Sequence, residues 1–145
     1  SLTDLNLKNN MLTDVSALGN FKNLIYLNLS GNGLTDISSL SELIKLAELD
    51  FSYNAVTSLP EFRPECELVT IDGTNNQISD LTNLSVLDML NTVIMTGNTE
   101  ISDITVLLEC DMLFYVRVDG TNITTDEQVI PLEERNVKVF YDEKL

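Results

Sequence analysis

Apolar residues recur along the chain in a pattern that repeats every 22 or 23 residues. A leucine opens the successive repeats at Leu2, Leu24, Leu46, Leu68, Leu90 and Leu113. Three residues later each repeat has a triplet of alternating character, as in Leu27-Asn28-Leu29. The triplet predicts a short strand, because alternate side chains of a strand point to opposite faces. A period of this length indicates a solenoid in which each unit packs against the next.

An asparagine stands three residues after most of these triplets. The positions are Asn10, Asn32, Asn54, Asn76 and Asn98, and Thr121 occupies the sixth. The chain must turn sharply there, and a buried turn leaves backbone groups that need partners. An asparagine side chain has two donors and an acceptor, so a stack of asparagines can satisfy neighbouring turns. We therefore interpret this set as a structural ladder, which weakens at Thr121.

The second half of each unit repeats as well, in the segments LTDVSAL, LTDISSL, ISDLTNL and ISDITVL. Their apolar residues at i, i+3 and i+6 predict 3₁₀ turns, whose side chains eclipse every three residues. Aspartates precede these turns and can cap their free N–H groups. They are Asp14, Asp36, Asp80 and Asp103. The third unit has Ser58, Pro60 and Pro64 instead, which predicts an irregular segment.

The complete pattern resembles the leucine-rich repeat, LxxLxLxxNxL, and its 22-residue length is most similar to bacterial internalin-type repeats. The resemblance implies an α/β leucine-rich repeat solenoid with a parallel β-sheet on the concave face. The convex side is expected to have 3₁₀ turns and extended chain, and the C-terminus a helix–strand cap. We expect a single domain over residues 1–145, with repeats that start near 2, 24, 46, 68, 90 and 113 and a cap at about 124–145. The chain is expected to be a fragment of a longer protein.

Five features of the chain that depart from the regular repeat carry their own expectations. One extra residue, Thr99 or Glu100, is expected to be tolerated in a turn, and Gly73 leaves a space that a neighbour must fill. Thr124-Thr125-Asp126-Glu127 has the form of a capping box and predicts a helix start. Pro131 then either kinks this helix or begins a second one. Val137-Lys138-Val139 is expected to form the last rung of the stack, in a strand over residues 137–141.

Charge and composition limit the possible functions. The chain has 8 basic and 23 acidic residues and a formal charge of −15, which disfavours nucleic acid and anionic membrane surfaces as partners. No apolar run is long enough for a transmembrane helix, so membrane insertion is not expected. The absence of histidine excludes histidine-based acid–base catalysis and metal sites, and no catalytic motif occurs. We therefore expect no enzyme activity and no cofactor.

The two cysteines are two repeats apart in the sequence. Rungs stack at about 4.8 Å, so Cys66 and Cys110 would be separated by roughly 10 Å. A disulfide needs Cα atoms within about 7 Å. We predict two free thiols that are at least partly buried.

The outward-facing strand residues form columns across the concave face. The central column is expected to contain Asn6, Asn28, Asp50, Asp72, Ile94, Arg117 and Lys138. Tyrosines 26 and 115 and Glu48 fall in the column before it. Exposed aromatic residues on such a surface are typical of binding sites. The candidate ligand-binding residues are Tyr26, Asn28, Glu48, Asp50, Asp72, Tyr115, Arg117 and Lys138.

Asp50 and Asp72 are expected to be neighbours on adjacent strands, where like charges destabilise a sheet. The pair is compatible with two solvated aspartates, with a basic partner or with a bound cation. Calcium needs six to eight oxygen ligands, and this surface supplies few.

The leading hypothesis is a non-enzymatic module that binds a protein ligand, one with a basic surface, through the concave face. The internalin resemblance implies a bacterial surface or secreted protein, and we expect a monomer. One alternative is an intracellular regulator that resembles the leucine-rich repeat proteins that bind phosphatases. Another is a structural spacer in a surface protein. Fold alone does not select among these functions.

Overall fold

Seven short strands stack in one parallel sheet, in the order in which they occur in the chain. The computed structural model describes residues 1–142. The strands are β1 (Asp4–Asn6), β2 (Tyr26–Asn28), β3 (Glu48–Asp50), β4 (Thr70–Asp72), β5 (Thr92–Ile94), β6 (Tyr115–Arg117) and β7 (Lys138–Phe140). Each strand pairs in parallel with the next. The predicted solenoid with a parallel sheet is confirmed.

The convex side contains the predicted 3₁₀ turns. They span Ser16–Asn20, Ser38–Glu42, Thr82–Leu84 and Thr105–Glu109. The backbone N–H at or near the start of each turn donates to an aspartate two residues earlier, at 2.8 Å in all four cases. Within the described residues, the third unit has no such turn, as its prolines predict, because proline lacks an N–H to donate.

One hydrophobic core runs through the stack between the sheet and the convex side. The repeat leucines 24, 46, 68 and 90 have no exposed surface. Burial of each such side chain contributes about 1.5–3 kcal/mol. At Gly73, a Cβ atom would lie 2.7 Å from both Met95 Sδ and Phe51 Cζ. These two buried side chains therefore fill the space that the missing side chain leaves.

Both cysteines are free and buried, as predicted. Burial raises the pKa of the Cys66 thiol. Burial also raises the pKa of the Cys110 thiol, to about 11. Because the thiolate is the reactive form, these cysteines act as small apolar core residues.

The extra residue of the fifth unit lies in a turn between Asn98 and Ile101, and the register of β5 with β6 is preserved across it. In the four earlier units, the N–H at the position of Ile101 donates to the ladder asparagine of the next unit. Here the turn redirects the Ile101 N–H to the backbone oxygen of Asn98, at 3.1 Å. The sixth ladder position, Thr121, therefore does not have to accept a hydrogen bond from the Ile101 N–H, and a threonine is sufficient there.

Two expectations for the C-terminal cap are wrong. Lys138 pairs with Tyr115 and Phe140 pairs with Arg117, so Lys138 is not in the central column. Helical turns displace the strand by two residues, and its inward residue is Val139, which pairs with Val116. The helix does not start at Thr124: the described α-helix, α1, spans Ile130–Glu133, with Pro131 in its first turn. Residues 125–129 form a bend and turns instead.

Polar side chains of the cap close the C-terminal end of the solenoid. Gln128 accepts a hydrogen bond from the Ile104 N–H at 2.8 Å and donates to the Ser102 oxygen at 2.9 Å. Arg135 donates to the Leu108 oxygen and to Asp111. These side chains satisfy backbone groups that a further repeat would otherwise cover. Residues 143–145 of the predicted cap lie outside the described residues.

Candidate functional site

The ladder asparagines bridge consecutive turns through their carboxamides. Asn54 donates from Nδ2 to the oxygens of Leu29 (3.0 Å), Phe51 (2.9 Å) and Ser52 (3.2 Å). Its Oδ1 accepts from the Leu34 N–H at 3.0 Å. Asn32, Asn76 and Asn98 make the same set of contacts, and Asn10 lies exposed at the first turn. All hydrogen-bonding capacity of these carboxamides is directed into the backbone, which fits a structural role.

The outward residues of the strands form two columns across the concave face. The register places Asp4, Tyr26, Glu48, Thr70, Thr92, Tyr115 and Lys138 in the first column. The second column is Asn6, Asn28, Asp50, Asp72, Ile94, Arg117 and Phe140. The structure thus brings Tyr26, Asn28, Glu48, Asp50 and Asp72 together on β2, β3 and β4. Tyr115, Arg117 and Lys138 form a separate group on β6 and β7.

The aspartates of the second column accept hydrogen bonds from residues that lie just after their own strands. Asp50 Oδ1 accepts hydrogen bonds from the N–H and hydroxyl of Ser52, at 2.9 and 2.6 Å. Asp72 Oδ1 accepts from the Thr74 N–H at 2.9 Å. Asn28 donates to Asp50 Oδ2 at 3.1 Å. Donors thus stabilise both carboxylates although Asp50 and Asp72 are paired directly in the register.

We call Glu48, Asp50 and Asp72 the acidic middle of the concave face. None of the ion pairs within residues 1–142 involves these three residues. On the convex side, by contrast, Glu42 pairs with both Lys22 and Arg63, at 3.0 and 2.6 Å. The described part of the chain therefore leaves the charges of the acidic middle uncompensated.

Two of the candidate residues differ in how accessible they are. Tyr26 is half-buried at the edge of the acidic middle. Asn28 is buried, and its Nδ2 donates to the Tyr26 hydroxyl at 3.3 Å as well as to Asp50. Tyr26 is therefore partly accessible to solvent, whereas the buried Asn28 positions Tyr26 and Asp50 through its hydrogen bonds.

Aromatic side chains and cations meet at the C-terminal end of the face. The rings of Tyr115 and Phe140 are 5.2 Å apart at an interplanar angle of 37°. Arg117 lies 5.9 Å from the centre of the Phe140 ring, and Lys138 lies 5.1 Å from that of Phe114. The column expected from the sequence has Lys138 at the position that Phe140 occupies in the structure, and the expected binding residues do not include Phe114. The sequence signal for Phe114 is a phenylalanine immediately before β6, where β2, β3 and β4 are preceded by the smaller Ile25, Ala47 and Val69.

The described residues contain neither a metal-binding cluster nor a membrane-spanning helix. Among residues 1–142, no group of three or more cysteine, aspartate or glutamate side chains could hold a metal ion. No helix in that part of the chain is long and apolar enough to cross a membrane.

Comparison with known proteins gives a consistent picture of the fold. A family model described as leucine-rich repeats (2 copies) matches residues 1–42 and 22–64. An internalin (inlF) from Listeria monocytogenes superposes with a TM-score of 0.85 at 24% identity, over 99% of this chain and 42% of that chain. A leucine-rich repeat protein from Leptospira interrogans gives 0.85 at 24% identity, over 95% of this chain and 36% of that chain.

A third structure, internalin C2 from Listeria monocytogenes, has a TM-score of 0.66 at 26% identity over 97% of this chain and 71% of that chain. The chain spans less than half the length of the first two structures. No curated protein matches at a significant level.

Proposed function

We propose that this chain, whose fold is a leucine-rich repeat solenoid, is a non-enzymatic module that binds a protein ligand through its concave face. Leucine-rich repeat domains generally bind protein partners, and a curved parallel sheet offers an extended surface for this purpose. The likeness to internalins supports a location on a bacterial surface or in a secreted protein. We further propose that the module acts as a monomer.

The observation that carries this proposal is the uncompensated charge of the acidic middle. Glu48, Asp50 and Asp72 lie on two adjacent strands, and no cation of the described residues pairs with them. Solvated aspartates are tolerated on a protein surface without a partner. The negative charge of the acidic middle therefore contributes to binding only if the ligand is basic. A basic protein surface would gain attraction over a Debye length of about 8 Å at physiological salt. Tyr26 would add apolar contact beside the charges.

The test compares binding of a partner to the wild type and to the double variant Asp50→Asn, Asp72→Asn. The first two strands already carry asparagine in this column, at Asn6 and Asn28, so the variant keeps the fold. The partner is captured with the immobilised chain, identified by mass spectrometry, purified, and measured by surface plasmon resonance at low and moderate salt. We expect its association rate to fall about 3- to 10-fold at low salt, with less effect at moderate salt.

The matched control is Glu65→Gln, Asp88→Asn, which removes the same charge from exposed positions away from the sheet. A Tyr26→Ala variant is expected to speed dissociation. If the partner binds the acidic-middle double variant and Tyr26→Ala as well as it binds wild type at both salt concentrations, the acidic middle is not the site.

A further inference from the structure

A cluster of aromatic residues and cations occupies the end of the concave face farthest from β1. Phe114 and Phe140 are 48% and 46% exposed, and the half-buried Tyr115 follows Phe114 in the chain and has its ring 5.2 Å from that of Phe140. Met112, two residues before Phe114, is also exposed. An outward phenylalanine gains nothing from the core, and contiguous apolar surface on a soluble protein typically marks an interaction site. We call Phe114, Tyr115, Arg117, Lys138 and Phe140 the aromatic end.

The two cations of the aromatic end differ in their acidic partners within the described residues. Arg117 donates from Nε to Asp119 at 2.7 Å, and this hydrogen bond, with a smaller contribution from Tyr115, raises the pKa of the guanidinium. Lys138 has no acidic partner among residues 1–142; its ammonium lies over the Phe114 ring. The chain has 23 acidic and 8 basic residues, so a lysine without an acidic partner among residues 1–142 stands out as a site for a negative group of a ligand.

We propose that the aromatic end is a second subsite of the concave face, which binds a protein segment that carries a carboxylate next to an apolar side chain. The carboxylate contacts Lys138 and Arg117, and the apolar side chain covers the rings of Phe114, Tyr115 and Phe140. Desolvation by the apolar group strengthens the ionic contact, because a charge pair screened from water interacts more strongly. This subsite rests on the proposed function, in that both ends belong to one binding face.

The probe is N-acetyl-L-phenylalanine, which has a carboxylate next to an aromatic side chain. Its uncharged counterpart is N-acetyl-L-phenylalaninamide, and acetate represents the charge alone. Each is titrated into the isotope-labelled chain, and the backbone amide shifts are followed by NMR. We expect shifts centred on β6 and β7, and a dissociation constant for the acid about three- to fivefold lower than that for the amide.

Variants separate the two parts of the subsite. Lys138→Gln is expected to remove the preference for the acid while the amide still binds, and Phe114→Ser is expected to weaken both probes. Phe140→Ser, in β7, is also expected to weaken both probes. Agreement of the two phenylalanine variants then shows that the effect does not come from destabilisation of a single strand. Lys8→Gln and Phe21→Ser are the matched controls, a concave-face lysine and a 42% exposed phenylalanine at the opposite end, and should leave the titration unchanged.

Three results would overturn the subsite. Equal affinity for the acid and the amide would remove the role of the cations. Shifts that are scattered, or that persist in both phenylalanine variants, would remove the role of the rings. Shifts that change on dilution of the protein alone would identify a second copy of the chain as the occupant. None of these results bears on the acidic middle, whose failure would instead appear as unchanged binding of the partner to Asp50→Asn, Asp72→Asn.

Discussion

Replacement of Asn54 by alanine tests the ladder, and the structure gives the expected cost. The inner carbonyls that Asn54 contacts are shared: Leu29 O also accepts from Asn32, and Phe51 O also accepts from Asn76. Each carbonyl therefore keeps one partner in the variant. The Leu34 N–H does not, because Asn54 Oδ1 is the acceptor that it contacts, and Leu34 is fully buried.

A buried N–H without a partner costs about 1–3 kcal/mol, and each lost hydrogen bond to a shared carbonyl costs about 0.5–1.5 kcal/mol. These contributions sum to about 2–6 kcal/mol for Asn54→Ala. Urea unfolding followed by circular dichroism measures this free energy, and the thermal midpoint should fall by roughly 10 °C.

The control is Asn6→Ala. Asn6 is exposed and accepts one hydrogen bond from the Lys8 N–H at 3.1 Å, so the variant should lose less than about 1 kcal/mol. Equal losses for Asn6→Ala and Asn54→Ala would refute the assignment of inward and outward positions. A loss below about 1 kcal/mol for Asn54→Ala would refute the account of the stranded N–H.

Three further predictions concern the core and the turns. Cys66 and Cys110 should resist iodoacetamide at pH 8 in the folded protein, and the chain should take up two carbamidomethyl groups in denaturant. A chain two mass units lighter than the reduced form, with no reactive thiol, would contradict the assignment of buried free thiols. Gly73→Ala should lower the free energy of unfolding in urea by about 1–3 kcal/mol, because the new Cβ would lie 2.7 Å from Phe51 and Met95. The control Gly33→Ala, whose Cβ would lie 3.5 Å from its nearest neighbour, should cost less, and the reverse order would contradict the packing. Hydrogen bonds from the Ser16 and Ser38 N–H groups lower the pKa values of Asp14 and Asp36 below 3.8, so the two carboxylates stabilise the fold above about pH 4 and this contribution is lost as the pH falls through the lowered pKa values. The variant Asp14→Asn, Asp36→Asn should therefore lose less stability than wild type between about pH 5 and pH 3, and an equal loss would refute this.

Most of the fold could be predicted from the sequence because the repeat imposes the same local problem in each unit. Each strand needs alternate apolar residues, each turn needs a carboxamide, and each 3₁₀ turn needs an aspartate before it. Five units carry the asparagine and four carry the aspartate, so an error in one unit is corrected by the others. The irregular third unit was also predictable, since proline at 60 and 64 cannot donate the backbone hydrogen bonds of a regular turn.

The cap could not be predicted because it has no second copy in the chain. Val137-Lys138-Val139 matches the triplet pattern, but the pairing of Val139 with Val116 depends on how the turns before β7 pack on the last unit. That packing uses Gln128 and Arg135, whose side chains reach back 24 to 27 residues, and no local pattern signals contacts of this kind. The error moved Phe140 out of the central column and concealed the aromatic end.

The ligand-binding residues stay a prediction, since no local rule connects an outward side chain with a partner. The positions of Tyr26, Glu48, Asp50 and Asp72 follow from the repeat, as the register shows. Their use by a ligand does not follow from the repeat, because the repeat constrains the inward positions and leaves the side chain at an outward position open.

Carboxyl footprinting of the bound complex tests the central claim most directly. The chain is labelled with a carbodiimide and an amine, with and without the captured partner, and each modified residue is quantified by mass spectrometry. If the partner lies on the concave face, labelling of Glu48, Asp50 and Asp72 should fall several-fold, while the exposed Glu65 and Asp88 should be labelled equally in both states. Protection of Glu65 and Asp88 with unchanged labelling of the acidic middle would contradict the account.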